Sequence, residues 1–169
     1  MSRNKKPRKA YRPRPVTAET MALARHYAAK PAPEDRKQVL GMLRDAAKAL
    51  REGVATEHQW SIVAGSITVA MAIERQGIVR GMEGHLLAAQ DALQGIYDRA
   101  MRTGGGSWVR VTLYYQELDE LQWFLGLHSF QMNQLGRAEF IAAIESAQRD
   151  TIKQGHTTEV VHTMERMAA

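Results

Sequence analysis

The chain has 169 residues, 44% of them hydrophobic, which is the size of one domain able to bury roughly two-thirds of its unfolded surface without metals or crosslinks. It contains no cysteine, so disulfide staples, thiolate metal sites and a cysteine nucleophile are excluded, and the composition suits a reducing compartment. The formal net charge of +5 is unevenly placed: Arg3, Lys5, Lys6, Arg8, Lys9, Arg12 and Arg14 lie in the first 14 residues with no acid among them, and the rest carries a slight acidic excess.

Residues 1–16 are basic, hold three prolines and have little apolar content to offset the entropy of ordering, so they are expected to form an extended tail that contacts phosphate or acidic surfaces. The run Arg12-Pro13-Arg14-Pro15 resembles an AT-hook but lacks the central glycine that lets backbone approach a minor-groove floor. Residues 17–169 read as a single helical domain. Thr17 is a candidate N-cap for a short helix to about Ala29, and the prolines at 31 and 33 interrupt it. An amphipathic helix from Glu34 to Glu52 turns Val39, Leu40, Leu43, Ala46, Ala47 and Leu50 inward, and Gly53 ends it. Thr56 and Gln59 have capping-box spacing and open a helix to about Gln76, apolar around much of its circumference. Helical spacing resumes near Val79, with Met82, Leu86, Leu93, Ile96 and Tyr97, and stops at the glycines 104–106.

The most hydrophobic and regular stretch runs from Ser107 to Leu135. Val111, Tyr114, Leu118, Leu121, Leu125, His128, Met132 and Leu135 follow steps of three and four, one stripe of a helix. Trp108, Trp123, Phe124 and Leu127 add apolar surface beside it. The expectation is an all-α fold, a compact bundle of about five to seven helices around a buried central helix at about 108–134. A short alternating segment, 108–112, leaves a β-strand as the alternative for its beginning. A further helix is expected from Gly136 to about Gln154, and a last one around Thr158 to Met167. The longest uncharged apolar run, Ile62 to Ile73, is shorter than the roughly 20 residues of a membrane helix, and no apolar segment follows the N-terminal charges. The chain therefore reads as cytoplasmic.

No catalytic signature emerges, and neither a catalytic residue nor a cofactor is assigned. Gly104-Gly105-Gly106-Ser107, flanked by Arg102 and Arg110, suggests a phosphate cradle, but the lysine and hydroxyl of a P-loop are missing; a turn with Ser107 as N-cap is the simpler reading. Glu159 and His162 have the spacing of a carboxylate-bridged metal motif, without the second copy such a site requires, so no metal is assigned. His128 on the apolar stripe reads as a neutral core ring, and Glu117 with Glu120 as solvated surface. If Trp108, Tyr115, Trp123 and Phe124 cannot all be buried, the excess forms an apolar docking patch for another protein or for a second copy of this chain.

The opening Met-Ser-Arg-Asn-Lys-Lys-Pro-Arg-Lys-Ala-Tyr-Arg-Pro ahead of a helical body resembles small proteins carried by phages and prophages of proteobacteria. The resemblance implies a setting in which such proteins bind host or phage macromolecules. The expected function is that of a non-enzymatic binding or regulatory protein whose body recognises a protein partner, for instance as an inhibitor of a host defence or nucleic-acid-processing complex. The alternative is a direct nucleic-acid binder using tail and body together, which the acidic excess of the body disfavours.

Overall fold

The structure, a computed structural model, describes residues 17–30 and 33–153. Among these it is all helical: α1 (Ala18–Ala28), α2 (Pro33–Arg51), α3 (Glu57–Gln76), α4 (Glu83–Thr103), α5 (Tyr115–Gln134) and α6 (Arg137–Lys153), with no strand. The basic tail and the expected helix around Thr158 to Met167 lie outside the described residues.

The helix ends follow local chemistry. Thr17 Oγ1 accepts the amide of Thr20 and starts α1. At α3 the amide of Gln59 donates to Thr56 Oγ1 while Gln59 Oε1 accepts the amide of Thr56, a complete capping box. Gly53, at φ +68°, lets the amide of Val54 return to the Ala49 carbonyl and close α2. Gly77, at φ +79°, closes α3 in the same left-handed conformation. Ahead of α4 a turn replaces the early start expected near Val79: Glu74 accepts the amides of Gly81 and Met82, drawing the chain back against the end of α3.

The core is organised around α3, which packs against α2, α4, α5 and α6. Its buried residues Val63, Ser66, Ile67, Val69, Ala70, Ala72 and Ile73 occupy most of its circumference. They serve two apolar clusters. Val63, Ile67 and Ala70 join Leu43, Leu50, Leu86, Leu93, Ile96, Leu121 and Phe124, whereas Val69, Ala72 and Ile73 join Val39, Leu40, Met132, Leu135, Phe140 and Ile144. The helix α5 is buried along one stripe only, so the hub expected at 108–134 belongs instead to α3, whose small residues admit neighbours on several sides.

The second departure concerns where α5 begins. Residues 108–114 are neither helix nor strand; they form an extended strap. Trp108 anchors it, its indole donating to the Ala55 carbonyl at 3.0 Å and its ring lying 6.2 Å from both Trp60 and Tyr97. The strap then passes the C-terminal end of α2, where a Cβ on Gly53 would meet Thr112 Cγ2 at 3.3 Å. At its far end Arg99 of α4 grips Glu117 with two 2.7 Å hydrogen bonds, donates to the Thr112 carbonyl and lies 4.1 Å over the Tyr114 ring. Glu117 also accepts the amide of Tyr114 at 2.7 Å, which starts the helix there. The carboxylate expected to be solvated surface is thus a buried, fully engaged group. The short alternation at 108–112 belongs to a segment that covers the core with Trp108, Val111 and Leu113 and leaves Arg110 and Thr112 exposed, without a strand among the described residues to pair with.

The helix α1 is peripheral. All its described side chains are exposed, and the chain beyond it is tied to the body by the Arg137 amide on the Ala29 carbonyl and by Lys30 on the Asn133 carbonyl.

Because Glu117 joins a guanidinium, a helix start and the strap, its removal strands Arg99 beside the core. Glu117→Ala is expected to lower unfolding stability by about 2–3 kcal/mol, less than for a wholly buried pair because Arg99 keeps some solvent contact. Chemical denaturation checks this, and a loss no larger than for an exposed glutamate would remove the clamp from the account.

Candidate partner-docking surface

The four aromatic candidates separate once α5 is fixed. Phe124 is fully buried in the α3 cluster and leaves the docking patch, because its direction along the helix is that of the core-facing Leu121 and His128. Trp108 is partly buried as the anchor of the strap. Tyr115, at 77% exposure, and Trp123, at 62%, project into solvent. Phe130, not singled out from the sequence, joins them at 51%.

Tyr115, Asp119, Trp123, Gly126 and Phe130 recur at steps of three or four and define the outer face of α5. Trp123 is steadied by a near-parallel stack on His85 of α4, with ring centroids 5.9 Å apart. Between Trp123 and Phe130 the exposed Gly126 leaves bare backbone. A Cβ there would meet nothing within 4 Å, so no internal contact requires glycine in mid-helix, where it costs about 1 kcal/mol relative to alanine.

The flank of α5 next to this face forms one wall of a groove. Leu118, Leu121 and Leu125 line it together with Leu113 from the strap, and Arg44, Lys48 and Arg51 of α2 face them across a cavity of about 150 Å³. Lys48 makes a loose 3.9 Å pair with Glu52; Arg44 and Arg51 have no ion pair among the described residues. Leu118, Leu121 and Leu125 were legible as part of the stripe, whereas nothing in the sequence sets Arg44, Lys48 and Arg51 apart. Only their position opposite α5 distinguishes them.

The glycine run does not make a phosphate cradle. The amides of Gly104, Gly105, Gly106 and Ser107 are directed to the carbonyls of Ala100, Arg102, Met101 and Gly104, capping α4. A Cβ on Gly104 would clash with the Ser107 carbonyl oxygen, and Gly105 and Gly106 take positive φ. Their sequence serves a turn, and Ser107 is not the N-cap of a helix, since the strap follows it.

His128 is a core residue. Its ring stacks 5.6 Å from Phe124, and Nδ1 lies 3.3 Å from Gln131 Oε1, while Gln131 donates to the Ala70 carbonyl at 3.1 Å. With that amide orientation Nδ1 carries the proton, leaving Nε2 as a buried acceptor with no partner among the described residues. Burial pushes the ring well below its ordinary pKa of 6.5, to about 4, against a smaller opposing effect of Gln131. A ring without solvent access exchanges no proton with a substrate unless the core opens.

Glu159 and His162 lie outside the described residues, as do the tail cations Arg3, Lys5, Lys6, Arg8, Lys9, Arg12 and Arg14. Among the described residues no group of three or more histidine, aspartate or glutamate side chains is placed to hold a metal ion, and no helix is long and apolar enough to cross a membrane. Comparisons with protein-family models, curated proteins and solved structures return no match to this chain.

Above about pH 6.5 His128 is neutral in both folded and unfolded chains. As pH falls towards 4 the unfolded chain takes up a proton that the native ring excludes, so native stability declines by about 3 kcal/mol over that interval. Denaturant midpoints measured from pH 7 to 4 are expected to fall more steeply for the wild type than for His128→Leu; parallel profiles would contradict the buried neutral ring.

Proposed function

We propose that this chain is a non-enzymatic binding protein whose helical body docks a protein partner through the outer face of α5, with the basic tail adding contacts to phosphate or acidic surfaces. The observation that carries the reading is the alignment of Tyr115, Trp123 and Phe130 on one helix face, each more than half exposed. Aromatic side chains are concentrated in the centres of protein interfaces, where they bury large area with few rotatable bonds. Gly126 supports the same reading, since its exposed backbone lowers helix stability without any internal contact to explain it, and admits a close approach between the two rings.

A resemblance of the opening residues to small phage and prophage proteins suggests an inhibitor of a host defence or nucleic-acid-processing complex as the kind of regulator in question. The cytoplasm is the proposed compartment. Direct nucleic-acid binding is the second reading, favoured by seven cations in the first 14 residues.

Affinity capture from host lysate, with and without nuclease, tests the two. The expected result is a discrete protein retained after nuclease treatment and after deletion of residues 1–14, but lost with Trp123→Ala combined with Phe130→Ala. Recovery of nucleic acid alone, abolished by the deletion, would overturn the first reading in favour of the second. Gly126→Ala gives an independent check: it is expected to raise unfolding stability by up to about 1 kcal/mol while weakening retention. Undiminished retention would remove this face from the contact.

A further inference from the structure

The groove beside the aromatic face has two unlike walls. Arg44, Lys48 and Arg51 are spaced by four and three residues along α2, placing three cations on one side over about 10 Å of helix. Leu118, Leu121 and Leu125, spaced by three and four along α5, form the other wall, and Leu113 of the strap also lines the groove. Leu113, Leu118 and Leu125 remain partly accessible, so the apolar wall is not sealed by the fold itself.

The cations are held differently from four other arginines of the helical body. Arg36, Arg75, Arg80 and Arg99 are engaged by Asn133, Asp150, the Gly77 carbonyl and Glu117 respectively. Arg44 and Arg51 have no such bond among the described residues, and the Lys48 pair with Glu52 is long and exposed. Three cations beside a strip of accessible leucine present opposite requirements a few ångströms apart. The complementary ligand carries carboxylates along one edge and large aliphatic or aromatic side chains along the next, both repeating every three to four residues. An amphipathic helix has that pattern, and one lying between two host helices is a recurrent recognition mode. A cavity of about 150 Å³ accommodates a benzene-sized group, room for one apolar anchor side chain.

We propose that the groove between α2 and α5 is a docking site for an acidic amphipathic helix of a partner protein, its carboxylates set against Arg44, Lys48 and Arg51 and one large apolar side chain seated between Leu118, Leu121 and Leu125. The proposal rests on the reading of the chain as a binding protein but uses a different surface from Trp123 and Phe130. The basic tail is not the occupant, since its charge repeats that of the groove. Like charges along the rail also select against basic partner helices.

The test uses the full-length protein with leucine methyl groups labelled for NMR. It is titrated with a short helical peptide bearing glutamates on one edge and leucines on the adjoining edge, and in parallel with the same peptide carrying lysine in place of glutamate. Saturable shifts at Leu118 and Leu125 are expected with the acidic peptide, at an affinity at least about tenfold above that of the lysine peptide. Arg44→Glu with Lys48→Glu and Arg51→Glu should abolish them. Gln122→Trp, at an exposed position lining the groove, should weaken binding about tenfold by filling the cavity without changing charge. The tail is present throughout, so its attraction for the acidic peptide is common to every protein variant, and it is the loss with Arg44→Glu, Lys48→Glu and Arg51→Glu that assigns the preference for that peptide to the groove.

Equal binding of the lysine peptide, shifts that avoid these leucines, or indifference to Gln122→Trp would each overturn the proposal. So would saturation of the same methyl groups by octanoate alone at lower concentration than the peptide, which would assign the groove to a small amphipathic carboxylate. The two surfaces fail separately: the groove titration does not require Trp123, and retention through the aromatic face does not require an open cavity at Gln122.

Discussion

The placement of α5 depends on one ion pair. Arg99 reaches from α4 to the first turn of α5, and its two hydrogen bonds to Glu117 set the axial register between the two helices. The same carboxylate holds the Tyr114 amide, so the first residue of α5 is decided at the same point. Once that register is set, every residue of α5 has its direction: Leu121, Phe124 and His128 towards α3, Leu118 and Leu125 towards the groove, Tyr115, Trp123 and Phe130 towards solvent. A shift by one residue turns a helix by 100°, enough to exchange Phe124 with Trp123 between core and surface. A bidentate guanidinium–carboxylate pair suits this task because its planar geometry tolerates little displacement.

The interior has a polar seam. Between the two apolar clusters lie His128 and Gln131, connected to each other and to the carbonyl of Ala70 on α3, with Ser66 also buried and bonded within its own helix. Such groups add little net stability compared with an apolar core of equal volume. Their effect is directional. Gln131 can satisfy its amide only when α5 and α3 adopt one relative position, so the seam distinguishes the native packing from alternatives that would bury a similar amount of leucine. The neutral state of His128 belongs to this arrangement.

Against that rigid interior, the surface is asymmetric. The outer face of α5 and the adjoining groove bring together exposed aromatic rings, a glycine without an internal role and three cations, of which Lys48 alone has an ion pair among the described residues, a loose one to Glu52. Each has an ordinary explanation in isolation, since single exposed apolar residues and solvated lysines are common. Their concentration along one helix and its flank is the ground on which this side of the molecule is proposed to meet another macromolecule. The acidic excess of residues beyond the tail fits contacts concentrated in patches better than a broad phosphate-binding surface.

What the sequence determined by itself was local. The helical periodicity, the capping box at Thr56, the stops at Gly53 and Gly77 and the apolar face of α2 all follow from interactions within a few residues, and these are present in the chain as written. Tertiary structure decided the rest, because each remaining feature joins residues far apart in sequence. The strap at 108–114 stays out of the helix because Trp108 reaches Ala55 and Arg99 reaches Thr112. Glu117 reads as surface until Arg99 is placed beside it, and Phe124 and Trp123 are neighbours of equal apolarity until the start of α5 is fixed. The centrality of α3 reflects small residues that admit several neighbours, a property of shape more than of hydrophobicity. Arg44, Lys48 and Arg51 are an unremarked charged face until α5 stands opposite and turns them into one side of a groove.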